Sequence, residues 1–328
     1  MNLTPAKKKV NLILDYSLTF KKSKTNMQVK KILQGQRPSL SFEFFPPKTQ
    51  EATNDLLLNI DKLASYAPNY VSITYGAGGT TRHQTHDLVS KLHKDKNIPV
   101  VPHLTCVGHS FEELHEILSH YCTMGIQNIM VLRGDPPKKE KSFTPHPQGP
   151  RYAKDLVSYI KKNFPHLSIG VAGFPEGHPE TPNFIKEMDY LKEKIDAGAD
   201  YICTQLFFDN HYFFEYQERC DLMGIKVPII AGLMPITTLS GLKRMCELAE
   251  GCKIPARLLK AVKWTNSPEQ LEEVGIHWAT EQLRELLYRD TAGVHLYTLN
   301  KASTIETIFK NLGLNESHQL HSKEDWAL

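Results

Sequence analysis

Eight short runs rich in β-branched and aromatic residues recur along this chain, and a helical pattern follows each one. The runs lie at residues 40–45, 70–75, 100–105, 128–132, 168–174, 201–205, 227–233 and 294–299. Apolar residues at three- and four-residue spacing mark helices over 55–65, 85–94, 110–124, 154–163, 184–197, 211–223, 238–249 and 303–312. A strand followed by a helix, repeated, makes a parallel sheet with helical crossovers. Eight such units in one chain predict an α/β fold, a closed (β/α)8 TIM barrel of roughly 250 residues plus additions. The rival is an open doubly wound sheet. It would carry a Gly-x-Gly-x-x-Gly turn after an early strand, and no such turn is present.

The chain divides into a Lys-rich lead-in at 1–36, a single barrel domain at 37–313 and a tail at 314–328. A helix is expected near 25–33, within a lead-in that is otherwise poorly ordered. The long interval from 233 to 294 should hold extra helices, including 271–289, between strands seven and eight. Ser110 before Phe-Glu-Glu and Ser267 before Pro268 have the character of helix caps.

Composition narrows the partners. A net charge of +3 with no long basic stripe argues against nucleic acid. The six cysteines are scattered with no Cys-x-x-Cys pair, as expected of reduced thiols in a cytoplasmic protein. No apolar run reaches the roughly 18 residues of a membrane helix. The apolar part of the lead-in is broken by Asp15, which a signal peptide would not tolerate.

The polar and glycine-rich oddities gather at strand C-termini, the end where active sites of such barrels sit. They are Glu43, the Thr74–Gly79 run, His103, Arg133-Gly134-Asp135, Phe174 to His178, Gln205, Met234-Pro235 and Tyr297. Glu43 stands between aromatics on the first strand, sharing a face with Ser39 and Ser41, while Leu40, Phe42 and Phe44 share the other. In a partly dry pocket with no cation beside it, burial would raise its pKa and suit it to donate a proton. On residues alone, an edge-strand glutamate pointing at water is the alternative. No metal site is expected. His120 lies five positions after His115, about 140° round a helix, so the two cannot share an ion as an i,i+4 pair would. The glycines at 76–79 lack the Gly-Lys-Ser/Thr of a P-loop and are as well read as a tight turn.

Taken together, the runs Ser-Phe-Glu-Phe-Phe-Pro-Pro-Lys (41–48), Ser-Ile-Thr-Tyr-Gly-Ala (72–77), Pro-His-Leu-Thr-Cys (102–106) and Leu-Arg-Gly-Asp (132–135) resemble the methylenetetrahydrofolate reductase family. So do Phe-Pro-Glu-Gly-His-Pro-Glu (174–180), Asp-Ala-Gly-Ala-Asp (196–200) with Thr204-Gln205, and Leu-Tyr-Thr-Leu-Asn (296–300), all in family order. The resemblance implies an FAD-dependent (β/α)8 barrel that reduces 5,10-methylenetetrahydrofolate to 5-methyltetrahydrofolate. NADH or NADPH would first give hydride to flavin N5 and leave, and the folate would then take its place. The family's acid, which protonates folate N10 to open the five-membered ring, falls on Glu43. Asp135 falls on the acid near the flavin, where it also bears on the folate cation, although a turn-forming Asp would look the same. Gln205 falls on a pterin contact and Lys301 on the folate tail. Thr74, His103, Arg133, Gly134, Asp135, Tyr152, Ala153, Ala172, Phe174, His178 and Lys194 fall on FAD contacts. Without the resemblance, Lys194 would be read as a solvated lysine.

Three departures stand out. Phe174 replaces a tyrosine of some members, keeping the ring and losing a hydroxyl. Lys301 stands where some members have Arg, so a bidentate fork is lost. No large regulatory segment follows residue 313 here, which is the pattern of the single-domain bacterial type, and NADH is then the expected donor. A homo-oligomer is also implied. The alternatives are a flavin-free barrel transferase that binds a pterin or folate, and a non-enzymatic binding protein on the same scaffold. The first would purify colourless; the second would not depend on Glu43.

Overall fold

All eight expected strands form, and the last pairs with the first. The computed structural model describes residues 24–35, 38–76, 82–135, 143–181, 183–249 and 252–321. Its strands are β1 (Ser39–Phe44), β2 (Tyr70–Ile73), β3 (Val100–Thr105), β4 (Asn128–Leu132), β5 (Ser168–Gly173), β6 (Tyr201–Thr204), β7 (Ile229–Leu233) and β8 (Gly293–Tyr297). Each is parallel to its neighbours, and the order β1 to β8 closes into a barrel. Most of the lead-in, Ala77 to Gly79, Pro136, Pro137 and the end of the tail lie outside the described residues.

The helices follow the expected rhythm: α1 (Val29–Ile32), α2 (Gln50–Ala64), α3 (Arg82–Asp95), α4 (Phe111–Thr123), α5 (Ala153–Asn163), α6 (Phe184–Asp196) and α7 (Asn210–Leu222). Three more, α8 (Leu239–Leu248), α9 (Ala256–Lys263) and α10 (Pro268–Tyr288), fill the interval between β7 and β8, and α11 (Ser303–Asn311) follows β8. Ser110 caps α4 with a full capping box against Glu113, and Ser267 caps α10 ahead of Pro268. No described helix is long and apolar enough to cross a membrane.

The two faces of each strand do different jobs. Leu40, Phe42 and Phe44 of β1 are buried outward against the helices, in one core with Leu56 and Ile60 of α2 and Phe309 of α11. The inward face changes character along the barrel axis. Towards the strand N-termini it is filled by Tyr70, Val101, Met130, Tyr201 and Ile230. Gly170 makes room for this layer, since a Cβ there would stand 2.4 Å from Tyr201 Cζ. Towards the C-termini the inward residues turn polar: Glu43, Ser72, His103 and His295.

A floor seals the apolar end. Val29 and Leu33, both fully buried, pack under Tyr70 and Tyr201. Asn128, the first residue of β4, accepts from Val29 N at 2.7 Å and donates to Met27 O at 3.0 Å. Ser168, the first of β5, accepts from Lys30 N at 3.1 Å. These side chains satisfy the exposed N–H groups of a helix too short to stand alone. The helix expected near 25–33 is therefore real but brief, a 3-10 turn at Lys24–Asn26 and then α1.

Candidate active site

Register brings the polar end of the barrel together. Glu43 pairs across the sheet with Ser72 on β2 and Tyr297 on β8, and Ser41 with His295. Alternation then points Glu43, Ser72 and His295 at one another inside the ring. Glu43 Oε2 lies 3.4 Å from Ser72 Oγ, 3.4 Å from His295 Nε2 and 3.4 Å from His103 Nε2. His295 Nδ1 meets Ser41 Oγ at 2.7 Å, and its Nε2 lies 3.3 Å from Ser72 Oγ. All three contacts of the carboxyl fall on Oε2. The side chain of Glu43 is 17% exposed, that of His295 only 2%.

The electrostatics differ from the simplest expectation. Burial pushes the Glu43 carboxyl up, but the His295 hydrogen bond, the charges of His103 and His295 and the Ser72 hydroxyl outweigh it, leaving the pKa below the ordinary value. The expectation of a raised value was for a carboxyl without such neighbours, and here two imidazoles stand beside it. His103 is itself held below the usual histidine value, first by burial and also by His295, with Glu43 opposing.

A second group gathers at the ends of β4 and β5. Lys194 Nζ on α6 donates to Ala172 O at 2.7 Å and stands 5.8 Å from the centre of the Phe174 ring. The Phe174 and His178 rings meet edge to face at 4.7 Å. Arg133, at the end of β4, pairs with Glu180, whose N–H donates to His178 Nδ1 at 3.1 Å. Burial pulls the Lys194 ammonium down to about 8, with Glu187 opposing, and pulls His178 down as well. A desolvated ammonium, an arginine and an imidazole on one wall have the chemistry of an anion or phosphate cradle. Gly134 sits beside them with φ +84°, where a Cβ would lie 2.8 Å from Val107 Cγ1, so only glycine fits this loop.

The remaining candidates occupy the same end of the barrel. Thr74 follows β2, its N–H bonded to Phe44 O at 2.9 Å. Asp135 follows β4 and is exposed. Tyr152 caps α5, its N–H bonded to Asp155, and Ala153 begins that helix. Gln205 follows β6, held by its N–H to Gly173 O at 2.8 Å. Lys301 follows β8 and is exposed, with no ion pair among the described residues. The structure thus joins Glu43 to His103, and Arg133, Ala172, Phe174, His178 and Lys194 to one another. Among the described residues it records no side-chain hydrogen bond or ion pair of Asp135, Gln205 or Lys301 with either group. Ser72 and His295 escaped the sequence reading. The signal was available in the period of two: His295 stands two residues before Tyr297, on the same inward face.

Residues 28–313 match the family model described as methylenetetrahydrofolate reductase. The chain belongs to this family. The match takes in α1. An Arabidopsis thaliana relative, methylenetetrahydrofolate reductase (NADH) 1, is 36% identical over 310 residues, 91% of this chain and 52% of that protein. The chain spans about half the length of such plant relatives. The 5,10-methylenetetrahydrofolate reductase of Escherichia coli is 35% identical over 284 residues, 86% of this chain and 93% of that one. Among solved structures, an uncharacterized protein from Clostridium thermocellum, described as binding two copies of 5-methyl-5,6,7,8-tetrahydrofolic acid, aligns with TM-score 0.61. It covers 89% of this chain and 99% of that chain at 15% identity, a likeness of fold.

Proposed function

We propose that this methylenetetrahydrofolate reductase family member reduces 5,10-methylenetetrahydrofolate to 5-methyltetrahydrofolate, with FAD as cofactor, NADH or NADPH as hydride source and Glu43 as the acid. The observation that carries the reading is the carboxyl of Glu43, turned into the polar mouth of the barrel and held between His103 and His295. The phosphate-type cradle of Arg133, His178 and Lys194, with the Phe174 ring and the bare backbone at Gly134, fits a dinucleotide. Tyr152, Ala153, Ala172 and Thr74 would complete the cofactor's contacts. When bound, FAD would take hydride from the nicotinamide and hand it to the folate, the two ligands visiting the site in turn. Asp135 would bear on both partners through its charge, Gln205 would hydrogen-bond the pterin, and Lys301 would meet the folate's glutamate tail.

The chain's own chemistry is the movement of one proton. A carboxyl and an imidazole that share a proton can exist as carboxylate with imidazolium, or as carboxylic acid with neutral imidazole. Water favours the charged form; a ligand that covers the pair and excludes water favours the neutral one. Glu43 is then protonated when the folate covers it. Oε2 carries the contacts to Ser72, His103 and His295, and among the described residues nothing pairs with Oε1, the oxygen available to face N10. Transfer of that proton to N10 lets the bond from N10 to the bridging methylene break. The N5 iminium that results is the hydride acceptor, and Glu43 is left as a carboxylate.

The test is a pair of half-reactions. The purified protein should show a flavin spectrum that bleaches anaerobically with NADH and returns on adding the folate. Glu43→Gln should bleach normally and lose the return, by roughly the 10²- to 10⁴-fold that a general acid supplies. Equal loss in both halves would make the acid assignment wrong. A colourless protein that takes up no FAD would instead support the flavin-free folate-binding barrel.

A further inference from the structure

The ladder that holds β1 to β8 ends at Glu43 and Tyr297. Beyond that point β1 runs into Phe45 and then Pro46-Pro47, which have no N–H to give. Side chains take over where the ladder stops. Thr298 Oγ1 donates to Glu43 O at 2.7 Å. Thr298 Oγ1 in turn accepts from Asn300 N at 3.1 Å. Asn300 then grips both backbone groups of Phe45: Oδ1 accepts from Phe45 N at 3.0 Å, and Nδ2 donates to Phe45 O at 2.8 Å. A carboxamide presents one acceptor and one donor side by side, so here it replaces a strand neighbour's peptide group.

The backbone that delivers this amide is unusual. Leu299 and Asn300 are consecutive residues in the left-handed region, at φ +51° and +61°, where non-glycine residues are rare and leucine especially so. Such a conformation persists only where the surroundings impose it, and it clusters at functional sites. Thr298 is buried at 4% exposure, and Lys301 N closes the turn on Thr298 O at 3.0 Å.

We propose that Thr298 and Asn300 are positioning residues: by clamping the backbone of Glu43 and Phe45 they set where the Glu43 carboxyl stands against His103, His295 and the folate. This rests on the reading of Glu43 as the acid. The three contacts of Oε2 are each 3.4 Å, at the far limit of hydrogen bonding, so a small lift of the Phe45 end of β1 is enough to break them.

Asn300→Gly separates the clamp from the strained turn, because glycine adopts the same φ freely and removes only the carboxamide. The variant should keep its thermal midpoint within a few degrees and keep flavin reduction by NADH within about twofold. Its folate-dependent reoxidation should fall roughly ten- to a hundredfold, in kcat rather than KM, the scale of a displaced catalytic group. Asn300→Asp keeps the acceptor for Phe45 N but has no N–H for Phe45 O, and should fall between the two. A readout free of turnover is the Glu43 carboxyl itself, followed in the flavin-free protein by infrared titration against Glu43→Gln; in Asn300→Gly its pKa should rise towards the ordinary range. Should Asn300→Gly fail to fold, Thr298→Val carries the same measurements. Unchanged reoxidation, an equal fall in both half-reactions or an unmoved carboxyl titration would overturn the clamp. If Glu43→Gln loses the folate step and Asn300→Gly does not, the clamp alone is wrong. If Glu43→Gln keeps the folate step, the acid reading fails and the clamp with it.

Discussion

On the proposed reading, Lys194 would serve binding at a cost to the fold. Its ammonium is drawn out of water beside Ala172 and Phe174 and is held down to about 8 by that burial. A cation in that state gains most when an anion arrives. If Lys194 holds the cofactor as proposed, Lys194→Met should weaken FAD binding by roughly ten- to a hundredfold, the scale of a hydrogen bond to a charged group, while the flavin-free protein becomes no less stable to urea. Fluorescence titration with FAD and urea unfolding of the flavin-free form measure the two halves. A variant that loses stability and keeps its affinity for FAD would mean that the lysine is a packing residue.

At the scale of the element, α1 is the piece whose importance least matches its length. Four residues of helix are held by Asn128 and Ser168 and plug the ring with Val29 and Leu33. Leu33→Ala should cost about 2–5 kcal/mol, as for other fully buried leucines, read as a lower urea midpoint. The folate half-reaction of the folded fraction should not change, because the floor and the polar mouth lie at opposite ends of the strands. A lost half-reaction at full stability would contradict that separation. The strands themselves were legible from residue pattern, since alternation and the helical spacing between them are local properties. Their ends were less so: β2, β6 and β8 stop at Ile73, Thr204 and Tyr297, before the expected 75, 205 and 299, because the chain peels away into the loops that build the site. The floor was legible only as a helix. Its purpose depends on Asn128, about a hundred positions away in the chain.

Across the whole molecule, protonation works against the fold on the acid side. His93, His103 and His178 are each held below the ordinary histidine value of 6.5, burial being the largest cause in every case. When a folded group binds its proton less tightly than the unfolded one, stability rises with pH between the two values. Glu43, also lowered, adds stability above its ordinary 4.5 that is lost only as pH falls through its folded value. The signs agree, so the urea midpoint should fall on going from about pH 7.5 to about pH 5.5, and His93→Gln should narrow the difference. A midpoint that rises in acid would show that the histidines are stabilised as cations instead. This behaviour could not be taken from sequence. The imidazole that decides the state of Glu43 is His295, 252 positions later, and it arrives only when β8 closes on β1. That Glu43 shares a strand face with Ser39 and Ser41 was local information; its charge was not.

The completed ring has one more consequence. An open sheet ends in strands with spare N–H and C=O groups, and those are where a neighbouring chain can dock and extend the sheet into an aggregate. Here every strand is paired on both sides, so the native barrel offers no such template. Among the described residues, copies of this chain can meet only through helices and loops, and fibril growth from the sheet must wait until the ring of strands has been torn open.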